Sequence, residues 1–313
     1  MDQVSIVELD IAKSVFQAHG ADASGGVAFR KKIMRAKVLE FFASQPPCQV
    51  AMEACGGSHY WAREIGKLGH EVKLIAPKYV KPFVKRQKND AADAEAICEA
   101  ATRPTMRFVA VKSETAQAST LVFRTRDILV RQRTQITNPA ARLPAEVRSI
   151  LSLLVQVVTG LEEKISLLDK EIARRTKEDA VARRLMTIPG VGPITATAIA
   201  ALAPPAATFR KGRDFAAWVG LTPLQKSTGG KQKLGSISKM GERTLRRLLI
   251  IGAAAAIQHA GRQGIPPGTW LARMLARKPR MLVTVALANK MARIVWALLV
   301  KGEDYRAPVV AAA

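Results

Sequence analysis

Four acidic residues of this sequence stand where carboxylates could share a metal ion. Asp10 ends one short apolar segment and Glu53 ends another, Gln49 to Met52, so both carboxylates are predicted at strand ends. Asp90 and Asp93 have the i, i+3 spacing that puts both on one face of a helix. Carboxylate oxygens bind Mg²⁺, and two such ions can stabilise the attacking and leaving oxygens of a phosphoryl transfer. Each acid taken alone is also explained as a turn residue or a helix cap, so their spacing leaves the metal site open.

A serine between lysines is a candidate nucleophile. Ser227 begins a Ser-Thr-Gly-Gly segment, and Lys226, Lys231 and Lys233 surround it in the sequence. A hydroxyl oxygen at that position would lie in an electrostatic field that attracts phosphate, which favours attack on a phosphodiester. The same segment in isolation is typical of a flexible surface loop, so a serine without chemistry is the alternative.

Three arginines follow on a predicted helix. Arg243, Arg246 and Arg247 are spaced i, i+3 and i+4, so they share one helical face while neighbouring leucines can face inward. Further upstream, Gly190 and Gly192 form a Gly-x-Gly turn before an Ala-rich helix, a pattern similar to a helix-hairpin-helix. Backbone N–H groups at such a turn can hold a DNA phosphate without reading sequence. A tight turn between packed helices is the alternative.

The composition indicates a polyanionic partner. Lys and Arg number 49 against 25 Asp and Glu among 313 residues, a formal net charge of +24, and nucleic acid is the usual partner of so basic a protein. Arginines are dense near the start of a long helical region, at Arg124, Arg126, Arg131 and Arg133, where they could follow a phosphate backbone. A solvated basic surface is the alternative.

The elements that must position these residues divide into an α/β part and a helical part. Strands are predicted at 3–9, 14–19 and 27–33, as a three-stranded meander, and at 49–52 and 72–75, with helices at 37–43 and 58–68. From 114 to about 177 the pattern is helical, with an apolar stripe at Leu151, Leu154, Val158, Leu161, Ile165, Leu168 and Ile172. This stripe predicts a helical hairpin or coiled-coil arm, and a linker helix packed on its own domain is the alternative. The predicted domains are 1–113, 114–181 and 182–313.

Neither the cysteines nor the apolar runs indicate a secreted or membrane protein. The three cysteines match neither the spacing of zinc ligands nor a disulfide framework, which favours a reducing cytoplasm. The N-terminus lacks the features of a signal peptide. The apolar run 282–300 is interrupted by Lys290 and Arg293, so no membrane segment is predicted.

Five short motifs occur together along the chain. They are Leu-Asp-Ile-Ala-Lys ending at Lys13, Met-Glu-Ala-Cys ending at Cys55, Asn-Asp-Ala-Ala-Asp ending at Asp93, Ser-Thr-Gly-Gly-Lys ending at Lys231 and Ile-Ser-Lys-Met-Gly ending at Gly241. In this combination, which spans nearly the whole chain, the sequence resembles the IS110 family of insertion-sequence transposases and its IS1111 branch. The resemblance implies an α/β ribonuclease-H-like N-terminal domain, a coiled-coil arm and a mainly α-helical C-terminal transposase domain with a helix-hairpin-helix. It also implies that four acids bind Mg²⁺ or Mn²⁺, namely Asp10, Glu53, Asp90 and Asp93.

The resemblance further implies the reaction and its partners. Ser227 would become covalently linked to DNA, with Thr228 as its one rival, and the metal would activate it because the closest histidine in its domain is the distant His259. Donor and target would be double-stranded DNA, both paired by a structured bridge RNA, and the sequence has no recognisable sequence-reading module of its own. A homo-oligomer, a dimer or a tetramer, is expected in a bacterial or archaeal cytoplasm, associated with the nucleoid.

One departure from the family pattern and two other functions stay open at this point. Asn138 and Pro139 interrupt the basic helix of the arm, and a proline inside a helix costs about 3 kcal/mol, so the arm is expected to be kinked or shortened there. One alternative function is a junction-resolving nuclease that uses metal-activated water. The other is a nucleic-acid-binding protein without catalysis.

Overall fold

The computed structural model describes residues 4–22, 26–83, 90–140, 148–226, 230–231 and 233–307, without the side chains of 90–95, 137–140 and 148–152. The chain divides into two compact units, residues 1–117 and 118–313, and the boundary falls within the first turns of one long helix. Each unit has its own hydrophobic core.

The first unit is a mixed sheet with helices on its two faces. Its strands are β1 Ile6–Asp10, β2 Val15–Ala21, β3 Val27–Met34, β4 Gln49–Glu53, β5 Glu71–Ile75 and β6 Phe108–Val109, and its helices are α1 Val38–Ala43, α2 Ser58–Lys67, α3 Pro77–Val80 and α4 Asp90–Ala101. The strand order is β3-β2-β1-β4-β5-β6. The first three strands pair antiparallel, as the predicted meander requires, and β1, β4 and β5 pair parallel. This mixed sheet is compatible with the expected ribonuclease-H-like fold.

Alternation along the strands separates the two faces of this sheet. Val7 and Leu9 of β1 pack in the core that includes Trp61 and Ile65 of α2. Ile6 of β1, one residue out of phase, packs in the second core with α4. The short apolar runs of β1, β2 and β4 therefore become strands that are buried on both faces, whereas β3 is largely exposed.

The second unit is mainly helical. Its helices are α5 Glu114–Ala140, which begins in the first unit, α6 Arg148–Glu178, α7 Ala180–Leu185, α8 Pro193–Leu202, α9 Gly212–Val219, α10 Arg243–Gln263, α11 Trp270–Arg277 and α12 Arg280–Lys301, and its strands are β7 Pro223–Gln225 and β8 Leu234–Ile237. Side chains at the helix starts satisfy free N–H groups, since Asp179 caps α7 and Glu242 caps α10.

The helix α12 lies at the centre of this unit. It is the one helix of the described residues that is long and apolar enough to cross a membrane. Its residues Val283, Ala288, Met291 and Val295 are nonetheless buried, and it packs against α9 and α10. The helix therefore serves as the core of a folded unit, as Lys290 within it led us to expect.

The arm predicted from the apolar stripe is an antiparallel pair of helices. Arg126 of α5 forms an ion pair with Asp169 of α6 at 2.5 Å, and Arg133 lies 3.8 Å from Glu162. Because the later residue of α5 contacts the earlier residue of α6, the two helices are antiparallel. Three stripe residues are buried, Leu161, Ile165 and Ile172. The far end of α6 packs against α8, whereas a coiled-coil assembly stays a prediction. The helix α5 ends one residue after Pro139. A short irregular passage was predicted from Asn138 and Pro139 to Glu146, and its part beyond residue 140 lies outside the described residues.

Candidate functional site

Asp10 and Glu53 lie level with each other at the ends of neighbouring parallel strands. Glu8 of β1 is opposite Ala51 of β4, so two residues further along each strand Asp10 comes beside Glu53. Strand alternation puts both on the face that α4 covers. Both residues are half-buried.

The helix α4, which contains the other two predicted acids, packs against the same face of the sheet. It begins at Asp90, contains Asp93 in its first turn and packs against β1 and β4. Its apolar residues Ala96, Ile97 and Ala100 contact the sheet core. The side chains of Asp90 and Asp93 are outside the described residues, and the side chains that are described form no metal-binding group of three or more. Sheet topology thus places Asp10 and Glu53 on the face against which α4 packs. Carboxylate oxygens of this kind are donors that fit a divalent metal.

Sequence reasoning missed a buried polar pair behind these acids. Glu8 is fully buried, on the same face of β1 as Asp10, and stands opposite the buried His19 of β2 in the strand register. A charged residue inside the apolar run Ile-Val-Glu-Leu-Asp was the available signal. Burial of a carboxyl group is costly without polar surroundings, so this pair marks a polar interior beneath the acid face.

The candidate serine belongs to the turn between β7 and β8. These strands form a two-stranded antiparallel sheet, and beyond it the N–H of Lys226 donates to the carbonyl of Lys233 at 2.8 Å. Ser227 and Thr228 lie outside the described residues. Lys226, Lys231 and Lys233 are exposed. The three lysines that flank Ser227 in the sequence are therefore exposed to solvent, and their placement around the serine stays a prediction.

The three arginines of α10 do not share one exposed face. Arg243 and Arg247 are exposed, and Arg247 is also ion-paired to Asp127 of α5. Arg246 is buried, and its Nη1 donates to the carbonyls of Val219 and Met240.

Burial lowers the pKa of Arg246, and the neighbouring charge of Arg243 acts in the same direction. The single-face prediction failed because α10 packs against α8, α9 and α12, so its buried arc is wider than an amphipathic stripe. We therefore leave Arg246 out of the proposed phosphate-binding set.

Two arginines of the arm retain a free or partly free surface. Arg124 is exposed on α5, and Arg131 is 61% exposed although it bonds to Asp127 at 2.5 Å. Burial acts to raise the pKa of Asp127, but the hydrogen bonds from Arg247 and Arg131 outweigh it and hold that pKa below its usual range. Asp127 therefore joins α5 to α10 as a carboxylate.

The two glycines of the predicted phosphate-binding turn have different environments. Gly190 has φ +86°, and a Cβ there would lie 2.3 Å from the carbonyl oxygen of Gly252, so close packing against α10 explains this glycine. Gly192 is exposed directly before α8, with nothing within 4 Å of a Cβ. The turn does join two packed helices, α7 and α8, while the helix-hairpin-helix itself stays a prediction. Of these two glycines, therefore, only Gly192 lies at a helix N-terminus that is exposed to solvent.

Two family models match the chain in the segments that carry these features. A DEDD transposase model matches residues 7–143, which include all four acids. A model described as the IS116/IS110/IS902 transposase family matches residues 182–265, which include the hairpin and α10. The chain belongs to the IS110 family of transposases. The letters DEDD in the name of the first model stand for three aspartates and one glutamate. Such a set of acids implies that the family depends on a divalent metal.

Curated relatives align with nearly all of this IS110 transposase. A probable family 20 transposase of Pseudomonas aeruginosa is 46% identical, over 97% of the chain and 99% of its own length. The transposase of insertion sequence IS1328 from Yersinia enterocolitica is 39% identical, over 96% and 98%. The IS1111A transposase of Coxiella burnetii is 35% identical, over 98% and 92%, in agreement with the IS1111 branch. The protein is therefore an enzyme that cleaves and rejoins DNA, and a binding protein without catalysis is excluded.

Proposed function

We propose that this transposase exchanges DNA strands through a phosphoserine intermediate formed by Ser227, with Mg²⁺ or Mn²⁺ held by Asp10, Glu53, Asp90 and Asp93. The observation that carries the metal site is the register that sets Asp10 level with Glu53 on the face covered by α4. When bound, the divalent ion would stabilise negative charge on the transferring phosphoryl group. The carboxylates on this face serve to hold the ion and to orient it.

The serine step conserves the number of phosphodiester bonds. The Oγ of Ser227 forms a bond to phosphorus, the bond from phosphorus to a deoxyribose oxygen breaks, and that oxygen takes a proton while the serine loses one. In rejoining, a deoxyribose hydroxyl attacks the phosphoserine, and the Oγ leaves and regains its proton. No external energy source is required, because the phosphoserine ester keeps the energy of the broken bond.

Charge on the hairpin and the helices would hold the DNA in place. Lys226, Lys231 and Lys233 flank the serine, and Arg243 and Arg247 lie exposed on α10. Two more exposed arginines of the arm, Arg124 and Arg131, together with the open N-terminus of α8 at Gly192, complete the proposed phosphate contacts.

We further propose that a structured bridge RNA selects donor and target DNA by base pairing. The support is indirect, since the sequence carries a charge of +24 and no recognisable module that reads DNA bases. Sequencing the RNA that copurifies with the protein from its host tests this. Recombination that is equally efficient and specific without that RNA would contradict it.

A homo-oligomer, a dimer or a tetramer, is proposed as the active form. Apolar side chains of α6 remain largely exposed, including Leu153 at 62%, Val155 at 61% and Leu167 at 64%. A second copy of the chain could cover them. Light scattering coupled to size-exclusion chromatography, with and without DNA, measures the assembly, and a monomer under both conditions would contradict the proposal.

A denaturing gel of labelled donor DNA decides the central chemistry. Wild-type protein should give a protein-linked DNA band, which Ser227→Ala loses and Thr228→Ala retains. This matched pair of variants distinguishes the hydroxyl of Ser227 from that of Thr228 as the nucleophile. Cleavage without any protein-linked band would instead support a junction-resolving nuclease that uses water. A band that persists in Ser227→Ala would move the nucleophile to another residue.

A further inference from the structure

Two backbone hydrogen bonds close the base of the hairpin in whose sequence Ser227 lies. The N–H of Ser238 donates to the carbonyl of Thr222 at 2.9 Å, and the N–H of Lys239 donates to the carbonyl of Gly220 at 3.1 Å. The strands β7 and β8 continue outward from this base, and β7 is fully exposed. The direction of both strands is thus set where the two chain segments leave the helical core.

Arg246 holds both segments of this base at once. Its Nη1 donates to the carbonyl of Val219 at 2.8 Å and to the carbonyl of Met240 at 2.9 Å. Val219 ends α9 on the incoming side, and Met240 precedes α10 on the outgoing side. A buried guanidinium is retained here because its planar donors reach two carbonyls that an apolar side chain would leave unsatisfied.

Close packing leaves this base no alternative arrangement. A Cβ on Gly220 would lie 2.0 Å from the Met240 carbonyl oxygen, and one on Gly241 would lie 1.8 Å from the Trp218 carbonyl oxygen. Lys239, with φ +55°, is the one non-glycine of the described residues with a positive φ. Strained backbone of this kind persists when the surrounding structure fixes it, and it concentrates at functional sites.

We propose that Arg246 is a positioning residue: it fixes the direction in which strands β7 and β8 leave the helical core, and this direction controls the rate at which Ser227 reacts with DNA. This inference rests on the proposed role of Ser227 as the nucleophile. Asn289 of α12 acts beside it, because its Nδ2 donates to the carbonyl of Leu221 at 2.9 Å. Two helices of the core thereby hold the incoming segment, and Arg246 ties the outgoing segment to it.

The test compares adduct formation in variants of one helix. Arg246→Gln keeps a polar side chain but cannot reach both carbonyls, and we expect it to slow formation of the protein-linked DNA band at least about tenfold, while the protein stays folded and binds DNA with near wild-type affinity. Arg262→Gln makes the same change at an exposed position in the last turn of α10 and should leave the rate unchanged.

A disulfide across the hairpin base distinguishes positioning from a general packing defect. Thr222 and Ser238 continue the register of Pro223 with Ile237, and residues directly opposite on antiparallel strands have Cα atoms about 4.5–5.5 Å apart, within reach of a disulfide. In the Arg246→Gln background, Thr222→Cys with Ser238→Cys should restore adduct formation when oxidised and lose it again on reduction. Mass spectrometry confirms the pairing against the native Cys48, Cys55 and Cys98.

The outcomes separate the two proposals. If the wild-type protein forms no Ser227 adduct, the proposed function fails, and this inference with it. If the wild-type protein forms the adduct and Arg246→Gln forms it at the same rate, the inference alone is overturned. If Arg246→Gln unfolds, the oxidised triple variant decides, because a folded but inactive triple variant also overturns the inference.

Discussion

The two parts of the proposed catalytic apparatus are positioned by different physical means. Asp10 and Glu53 take their places from backbone pairing of β1 with β4, a register that the apolar strands enforce. The β7–β8 hairpin is largely exposed beyond Ile237, which packs against the helical core. Arg246 and Asn289 of that core hydrogen-bond to the segments at the base of the hairpin. The acid site is thus held by strand pairing in the sheet, whereas the hairpin depends on a few side-chain contacts with the helical core.

This difference predicts how each site responds to mutation. A change of acid in the first unit should remove chemistry without moving the fold, since strand register does not depend on a side chain at the strand end. A change at the base of the hairpin should alter geometry, and with it activity, without touching a reacting atom. Substitutions in the two units can therefore test whether the contrast is real.

The largest effect is expected at Asp10. Asp10→Asn removes a carboxylate charge from the acid face, and cleavage should fall at least about a hundredfold, as for loss of an electrostatic group that acts in the transition state. Thermal unfolding should be nearly unchanged. Rates of strand cleavage with Mg²⁺ and with Mn²⁺ measure the effect, and chelation of the metal should abolish cleavage in the wild-type protein.

Glu71→Gln is the matched control for this change. Glu71 begins β5 and lies opposite Gln49, at the other end of the same sheet, and its side chain is 70% exposed. Its cleavage rate should equal that of the wild-type protein. Cleavage by Asp10→Asn at the wild-type rate would remove this residue from the mechanism. The contrast between the two units would then lose its support from the acid site.

The next effect is expected at a glycine of the hairpin base. Gly241→Ala combines φ +76° with a Cβ only 1.8 Å from a backbone oxygen, so it should destabilise the second unit by about 3 kcal/mol. Gly302→Ala has a similar φ of +72° and open space, and should cost only about 1 kcal/mol. Urea unfolding measures both, and equal costs would show that the hairpin base is less tightly packed than described.

A smaller effect is expected from the lysines of the hairpin. Replacing Lys226, Lys231 and Lys233 together by Ala should weaken DNA binding about tenfold at 0.1 M salt and flatten its salt dependence, by about 0.9 in slope for each lost phosphate contact. Fluorescence anisotropy over a salt series measures this. An unchanged slope would mean that these lysines contact no phosphate, and the hairpin would then need another way to attract DNA.

Hydrophobic patterning predicted the elements of the first unit because its central strands β1, β2 and β4 are short apolar runs buried on both faces. The five predicted strands, the two predicted helices and the antiparallel meander are all present, and the level placement of Asp10 and Glu53 follows from their strand ends. The burial of Glu8 was not predicted, because a single charged residue does not alter the apolar pattern of a strand.

Local patterns failed where tertiary packing decides. Spacing correctly grouped Arg243 with Arg247, but only the packing of three other helices around α10 buries Arg246. The turn at Gly190 has a sequence typical of phosphate binding, yet Gly252, far away in the chain, explains why a glycine is needed there. The positive φ of Lys239 likewise arises from a hairpin base that joins distant segments.

The smallest effect concerns the tie between α5 and α10, the helix that carries Arg246. Asp127 is buried and bonds to Arg247 and Arg131, so Asp127→Asn should destabilise the second unit by about 1–2 kcal/mol at pH 7. Because the folded-state pKa of Asp127 lies below its unfolded value of about 3.9, this stabilisation is present above that value and is lost as the pH falls through the folded pKa. The difference between wild type and variant should therefore shrink below about pH 4.

Asp169→Asn is the control, at a more exposed carboxylate paired to Arg126, and it should cost less than about 1 kcal/mol. Thermal melts of both variants from pH 3 to pH 7 measure the difference, and a gap at Asp127 that stays constant over this range would show that its charge does not hold α5 against α10.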